Sequence, residues 1–249
     1  MIIMAQEMHK QLIKQIEAAL EQDVRFNPSQ SRLRICANDR GIVLAGEVDN
    51  IAEKRLAANL SRTLAGDEVD VEDRLCVATE QVADAELAQH ICRQLGAEPV
   101  FARTAISRVG PGGVEPWQQP PDSEGNIDVI VEDGVVTLSG VTGSLSHRRL
   151  AEVLCWWIPG CRRVDNRLAV APDQPDSDNL LTDAIRIVLD KDPLVDAGQV
   201  RLGSAAGIVE LDGLLPCDEA RRMVVRDTWA VPGVWDVVNR LQTGPSPTA

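Results

Sequence analysis

Gly134-Val135-Val136-Thr137-Leu138-Ser139-Gly140 decides the fold, because the same frame, Gly-x-Val-x-Leu-x-Gly, recurs as Gly207-Ile208-Val209-Glu210-Leu211-Asp212-Gly213. Val and Leu at alternate positions put one apolar face on a strand. The first glycine (Gly134, Gly207) supplies the positive φ of a tight hairpin turn, and the last (Gly140, Gly213) is expected to let the chain leave the sheet. A third copy, Gly41-Ile42-Val43-Leu44-Ala45-Gly46, is one residue shorter between its glycines. Aligned on the final glycine, it keeps Ile42 and Leu44 on the inward positions but places Arg40 where the turn glycine stands. Its turn must therefore be built differently.

Working outward, each hairpin is followed by a helical stretch that opens on two cations and two apolar residues: Lys54-Arg55-Leu56-Ala57, Arg148-Arg149-Leu150-Ala151 and Arg221-Arg222-Met223-Val224. These helices end at Ala65-Gly66, Pro159-Gly160 and Pro232-Gly233, where glycine suits a left-handed cap and proline stops another turn. Closing strands follow as Val71-Glu72-Asp73-Arg74-Leu75, Val164-Asp165-Asn166-Arg167-Leu168 and Val237-Val238-Asn239-Arg240-Leu241. Ahead of each hairpin lies an amphipathic helix marked by Leu12, Ile16, Leu20; Leu87, Ile91, Leu95; and Leu181, Ile185, Leu189.

The unit is thus helix, strand, strand, helix, strand, three times over: residues 5–78, 83–172 and 177–243. The middle repeat carries an insertion, 107–126, with Pro111, Pro116, Pro120, Pro121 and four glycines. That density resists helix and central strand, so a loop or local extension is expected. Residues 172–178 read as a linker and 244–249 as a flexible tail.

Composition narrows the partners. The 249 residues hold 25 Lys and Arg against 38 Asp and Glu, a formal net charge of −13. Such a chain is repelled at long range by nucleic acid, which is excluded as a partner. Tyr is absent and the only Phe are Phe26 and Phe101, so the platforms for base stacking are missing too. No segment has the roughly 18–20 apolar residues of a membrane span. The first ten residues lack the basic and apolar regions of a secretory signal, so a cytoplasmic location is expected. Six Cys without paired spacing read as buried small hydrophobes or reduced thiols.

These motifs carry a resemblance. The Gly-x-Val-x-Leu-x-Gly hairpin, the Val231-Pro232-Gly233-Val234 exit, the Val-x-Asn-Arg-Leu strand and the connection Leu189 to Ala197 resemble the BON domain (bacterial OsmY and nodulation), in three tandem copies. The resemblance implies an α+β fold of αββαβ repeats, each with two helices on one face of a three-stranded mixed sheet. It also implies non-catalytic work: attachment to phospholipid surfaces, envelope stress protection or chaperone-like binding, or potassium binding in a cytoplasmic member.

The residues agree in offering no catalytic constellation. His9, His90 and His147 stand outside any catalytic motif, and the chain has no Gly-x-Ser-x-Gly, His-Glu-x-x-His or phosphate-binding Gly-Lys loop. Ser144 and Ser146 near His147 read as helix caps. His90 and Cys92 point apart on a helix. Asp190, Asp192 and Asp196 lack the glycine and terminal Glu of a calcium loop. No metal site and no cofactor is expected, although a monovalent cation held by backbone carbonyls leaves no side-chain signature.

The recurring cations offer an anion-facing patch, richest in the middle repeat: Arg148, Arg149, Arg162, Arg163 and Arg167. Guanidinium forks match phosphate, so an anionic phospholipid headgroup is the ligand they suggest, against the alternative of a solvated, acid-paired face. Residues 81–172 hold 8 cations and 11 acids, the least hostile balance of the three repeats. Trp156 and Trp229 occupy one repeat position and read as core. Trp117, Trp157 and Trp235 are candidate anchors for a protein partner. The chain is expected to be a non-enzymatic binding or adaptor protein with a stress-related role, for a phospholipid surface or a protein, with a potassium-responsive sensor as the alternative reading.

Overall fold

The structure, a computed structural model, describes residues 2–28, 31–38 and 40–244. Packing divides the chain into two compact units at Ala78/Thr79, so that the first repeat stands as one unit and the second and third together form the other. The first unit runs α1 (Ile2–Gln22), β1 (Arg34–Ala37), β2 (Gly41–Val48), α2 (Ile51–Ala65) and β3 (Asp70–Val77). Its sheet has the order β1-β2-β3, the first pair antiparallel and the second parallel. Leu12, Ile16 and Leu20 on α1 meet Ile42, Leu44 and Leu75 on the sheet, all buried.

The second unit continues with α3 (Asp84–Ala97), β4 (Thr104–Gly110), β5 (Gly113–Gln118), β6 (Gly125–Glu132), β7 (Val135–Thr142), α4 (Leu145–Trp156) and β8 (Arg163–Val170). Its last repeat is α5 (Asp178–Lys191), β9 (Val200–Ala205), β10 (Ile208–Leu215), α6 (Asp218–Ala230) and β11 (Asp236–Thr243). The sheet of the third repeat, β9-β10-β11, has the same antiparallel and parallel pairing as the first. The fold is α+β, with one mixed sheet per repeat. Val136 and Leu138, like Val209 and Leu211, point into the cores at 0% exposure, so the alternation in the glycine-bounded frame does set the inward face.

The middle sheet departs from three strands. Its order is β5-β4-β6-β7-β8, because the proline-rich insertion and the residues before it form a hairpin that extends the sheet. Pro111 and Gly112 make the turn. Pro116 lies in β5, the edge strand, where a missing N–H costs no central ladder bond, and Pro120 and Pro121 fall beyond it. Proline thus confined the insertion to an edge without preventing a strand. Of the expected tail, only Gly244 lies within the described residues, and its N–H bonds Leu215 O.

The final glycine of each frame has a different task from the one expected. The strands run on for two residues past Gly46, Gly140 and Gly213. All three have positive φ, and a Cβ on them would lie 2.0, 2.2 and 2.1 Å from the backbone oxygens of Arg32, Asn126 and Gln199. Glycine is needed there because the neighbouring chain segment occupies the space of a side chain.

The hairpin turns are held from outside in two repeats and from inside in one. Asp84, first residue of α3, accepts the N–H groups of Asp133 and Gly134 (2.9 Å each). Asp178, first residue of α5, accepts those of Ala206 and Gly207 (2.9 and 3.0 Å). Both turns have positive φ at the two central residues. In repeat one the position corresponding to these acids is His9, and Asn38 of the turn itself accepts from Arg40 and Gly41 N–H.

Two predictions follow from these contacts. Gly213→Ala should lose stability by at least roughly 1–3 kcal/mol, the usual cost of a strained backbone position, whereas Gly203→Ala, open around its Cβ, should be near neutral in chemical denaturation. The amides of Gly207 and then Ala206 hold the Asp178 carboxyl below its ordinary 3.8. A depressed carboxyl adds stability that is present above its unfolded pKa and lost as pH falls through the folded one. Asp178→Ala should therefore show a shallower fall of the urea midpoint below about pH 4.

Candidate functional site

Of the arginines expected to form an anion-facing patch, Arg148, Arg149, Arg162 and Arg167 are engaged within the protein. Arg149, on α4, is 4% exposed. Its Nε donates to Pro232 O at 2.8 Å, and its Nη2 donates to both carboxylate oxygens of Asp176 at 2.9 and 2.7 Å. A Cβ on Gly233 would lie 2.8 Å from Nη2, so the exit glycine of repeat three is also the seat of a guanidinium from repeat two. Arg149 is a strut between repeats and does not face solvent.

Its neighbour Arg148 is half-buried and reaches Asn166 O at 3.4 Å, while Asn166 Nδ2 donates back to Arg148 O at 2.9 Å. Lys54 repeats this reach in the first unit, donating to Asp73 Oδ2 at 2.6 Å and Leu75 O at 2.9 Å from a buried position. In repeat three Arg221 pairs instead with Asp218, one turn back on its own helix. Arg167 is exposed and paired with Asp165 at 2.8 Å, as Arg74 is with Glu72 and Arg240 with Glu210. Arg162 donates to Asp133 O at 3.4 Å and lays its stem over Gly134. Arg163, at the start of β8, is half-exposed. Each of the five arginines therefore has a different setting.

The Val-x-Asn-Arg-Leu strand has its own logic. β3, β8 and β11 each lie at a sheet edge. Asp73, Asn166 and Asn239 accept the backbone N–H two residues on, at 2.9, 3.2 and 3.0 Å. The side chain satisfies an edge amide that would otherwise be available to another strand.

Trp157 was a candidate surface anchor, and the structure buries half of it. Its Nε1 donates to Asp227 Oδ1 at 3.1 Å, joining the end of α4 to α6. Trp117 and Trp235 are each 41% exposed. Trp117 leans on α3, where a Cβ on Gly96 would lie 3.3 Å from its Nε1. Trp235 covers the turn at Gly207, to whose oxygen its N–H donates at 2.8 Å. The two lie in different repeats, on β5 and ahead of β11. Trp229 is core, at 3% exposure, and Trp156 is half-buried.

Sequence reasoning missed the junction between repeats two and three as a whole. There α4 packs on α5 and α6, Lys191 pairs with Glu98, and Arg226 contacts both Asp227 and Asp192. Asp176 lies in the linker and Lys191 in the Leu189 to Ala197 connection, and neither residue's pattern named a partner in the other repeat. The Asp84 and Asp178 clamps were discoverable, since each stands three residues before the first leucine of its helix.

What stays open to solvent is the sheet face opposite the helices. On repeat three it presents Ile208 and Leu214, 41% and 59% exposed, among Arg201, Asp212, Glu210 and Arg240, whose charges pair across it. A groove of about 650 Å³ runs between β9 and β10 over Gly203, Ser204 and Ala205. Repeat one has a smaller, polar hollow of about 430 Å³ lined by Asn38, Arg40, Asp70, Glu72 and Arg74. Among the described residues no group of three or more His, Cys, Asp or Glu is placed to hold a metal ion, and no helix is long and apolar enough to cross a membrane. None of the six cysteines forms a disulfide.

The BON domain model matches residues 10–79, 116–172 and 177–245. The chain belongs to the BON domain family. It carries three copies in tandem, and the family is one of non-catalytic binding domains. The second match begins inside β5, so α3 and β4 of that copy lie outside it and are supplied by the structure. No curated protein matches the sequence. Among solved structures, CdsD, a structural protein of the type III secretion system of Chlamydia trachomatis, aligns over 95% of this chain and 93% of its own at 18% identity and a TM-score of 0.25. Its C-terminal domain aligns over 94% and 98% at 19% identity and the same TM-score.

The strut between the second and third BON copies is directly testable. Arg149→Ala leaves Pro232 O and the Asp176 carboxylate without their donor and should cost roughly 2 kcal/mol in chemical denaturation. Arg167→Ala removes an exposed pair and should change stability by less than about 0.5 kcal/mol.

Proposed function

We propose that the chain is a non-catalytic adaptor that binds a protein partner through the solvent-facing sheet surfaces of its BON copies. The observation that carries this reading is the open face of repeat three, where the ion pairs of Glu210 and Asp212 compensate each other between exposed Ile208 and Leu214 at the two ends of β10, and Ile208 lines a groove. A surface that combines exposed apolar residues with mutually paired charges suits a protein partner. An anionic bilayer would need unpaired cations gathered on one side, and two of the five arginines on which that reading leaned, Arg149 and Arg167, are paired with Asp176 and Asp165. Tandem copies raise the effective concentration of each weak contact. Six cysteines that form no disulfide fit a reducing compartment such as the cytoplasm.

The test has two arms. Flotation with vesicles of phosphatidylglycerol or of phosphatidylcholine, at low and physiological salt, should leave the protein unbound. Proteins that co-purify with the full chain should be lost on Ile208→Asp with Leu214→Asp and retained on Val24→Asp, an exposed position in repeat one. Salt-sensitive flotation with the anionic vesicles alone, abolished by Arg162→Glu with Arg163→Glu, would overturn the adaptor reading in favour of a phospholipid surface.

A further inference from the structure

Asp227, in α6, is fully buried at the junction where α4 of the second BON copy meets α5 and α6 of the third. Its Oδ1 accepts Trp157 Nε1 at 3.1 Å and Arg226 Nε and Nη2 at 3.2 and 3.0 Å. Its Oδ2 has no donor. Within hydrogen-bonding reach stands the carboxyl of Asp192, the residue that ends α5, itself 7% exposed. Arg226 Nη2 lies 3.7 Å from Asp192 Oδ2.

The charged groups facing Asp227 are therefore Asp192 from α5 and Arg226 from its own helix. α4 presents the Trp157 indole, and β10 and β11 beneath α6 contribute no charge to it. The neighbouring cation Lys191 is engaged by Glu98. Two carboxylates cannot hydrogen-bond to one another, because neither has a donor. A single proton placed between them converts repulsion into a bond.

We propose that Asp192 and Asp227 form a proton-operated latch that tightens the junction between repeats two and three in acid. Burial first, and the Asp192 carboxyl second, raise the Asp227 pKa to about 6 against the lowering influence of Arg226 and Trp157. A carboxyl raised in the folded state contributes stability that is complete below its unfolded value and is lost as pH rises through the folded one. The docking equilibrium of the junction should accordingly weaken about tenfold between pH 5 and pH 7. Arg149 and its Asp176 partner span the same junction and hold it together at the upper end of this range, so the latch adjusts a joint without being its sole fastening.

The experiment is a pH titration of the full chain with two readouts. Carboxyl-carbon NMR should place the Asp227 midpoint near 6 and move it downward in Asp192→Asn, which replaces the neighbouring carboxyl by an amide. Hydrogen exchange at Trp157 and Ile158, corrected for intrinsic rates, should show about tenfold greater protection at pH 5 than at pH 7. In Asp227→Asn, whose amide carries a permanent donor, the protection should be independent of pH over that interval. A midpoint below about 4.5, within the ordinary Asp range, would overturn the latch. So would equal protection at the two pH values, or an Asp227→Asn profile that keeps the pH dependence. If Asp227→Asn does not fold, the titration of the native protein and of Asp192→Asn decides alone.

Discussion

A backbone oxygen stands about where a side chain would begin at Gly46, Gly140 and Gly213, and the rest of each repeat is arranged around that approach. The central strand can carry its inward residues, Ile42 and Leu44, Val136 and Leu138, Val209 and Leu211, only because the segment beside it lies this close. The positive φ at each of these glycines turns the strand as it continues, and the last inward residue, Val48, Thr142 or Leu215, still finds the core. From there the chain enters the second helix, which covers the same sheet face as the first. Two helices on one face leave the other to solvent, and that open face is where a family of binding domains has surface to offer.

The middle copy illustrates how a repeat acquires a neighbour. α4 is a sheet-covering helix like α2 and α6, yet it also packs against both helices of the third copy. A guanidinium, an indole and a carboxylate make the crossing: Arg149 to Pro232 and Asp176, and Trp157 to Asp227. Charge that sequence inspection places on a ligand-facing surface is consumed in holding two domains in register. A buried ion pair is a modest source of stability but a strong source of specificity, since a misplaced partner leaves a desolvated charge alone.

Much of this was legible in the residues. The repeated frame, the helix exits and the amphipathic helices gave three copies and their inward faces, because hydrophobic period and glycine placement are local properties. The Asp84 and Asp178 clamps could be read by aligning the copies on Leu87 and Leu181. The site was less legible. Arg149 and Arg148 are adjacent and chemically identical, and the groups that seat Arg149, Asp176, Pro232 and Gly233, lie 27 to 84 residues downstream of it. Trp157 looked like an edge residue because its partner, Asp227, belongs to another repeat. Pro116 argued against a central strand and said nothing about an edge, where β5 lies.

The two ways of holding the hairpin turn bear on the order in which the copies can assemble. In repeat one Asn38 closes its turn with residues two and three positions away, so the hairpin can form before α1 arrives. In repeat three Asp178 must close a loop of 29 residues, and in repeat two Asp84 must close one of 50, before the turn amides are satisfied. Loop closure costs chain entropy before any contact repays it. The first copy is thus the one whose sheet can nucleate locally. The middle copy, with its extra hairpin enclosed in the same loop, depends on a long-range encounter between helix and turn.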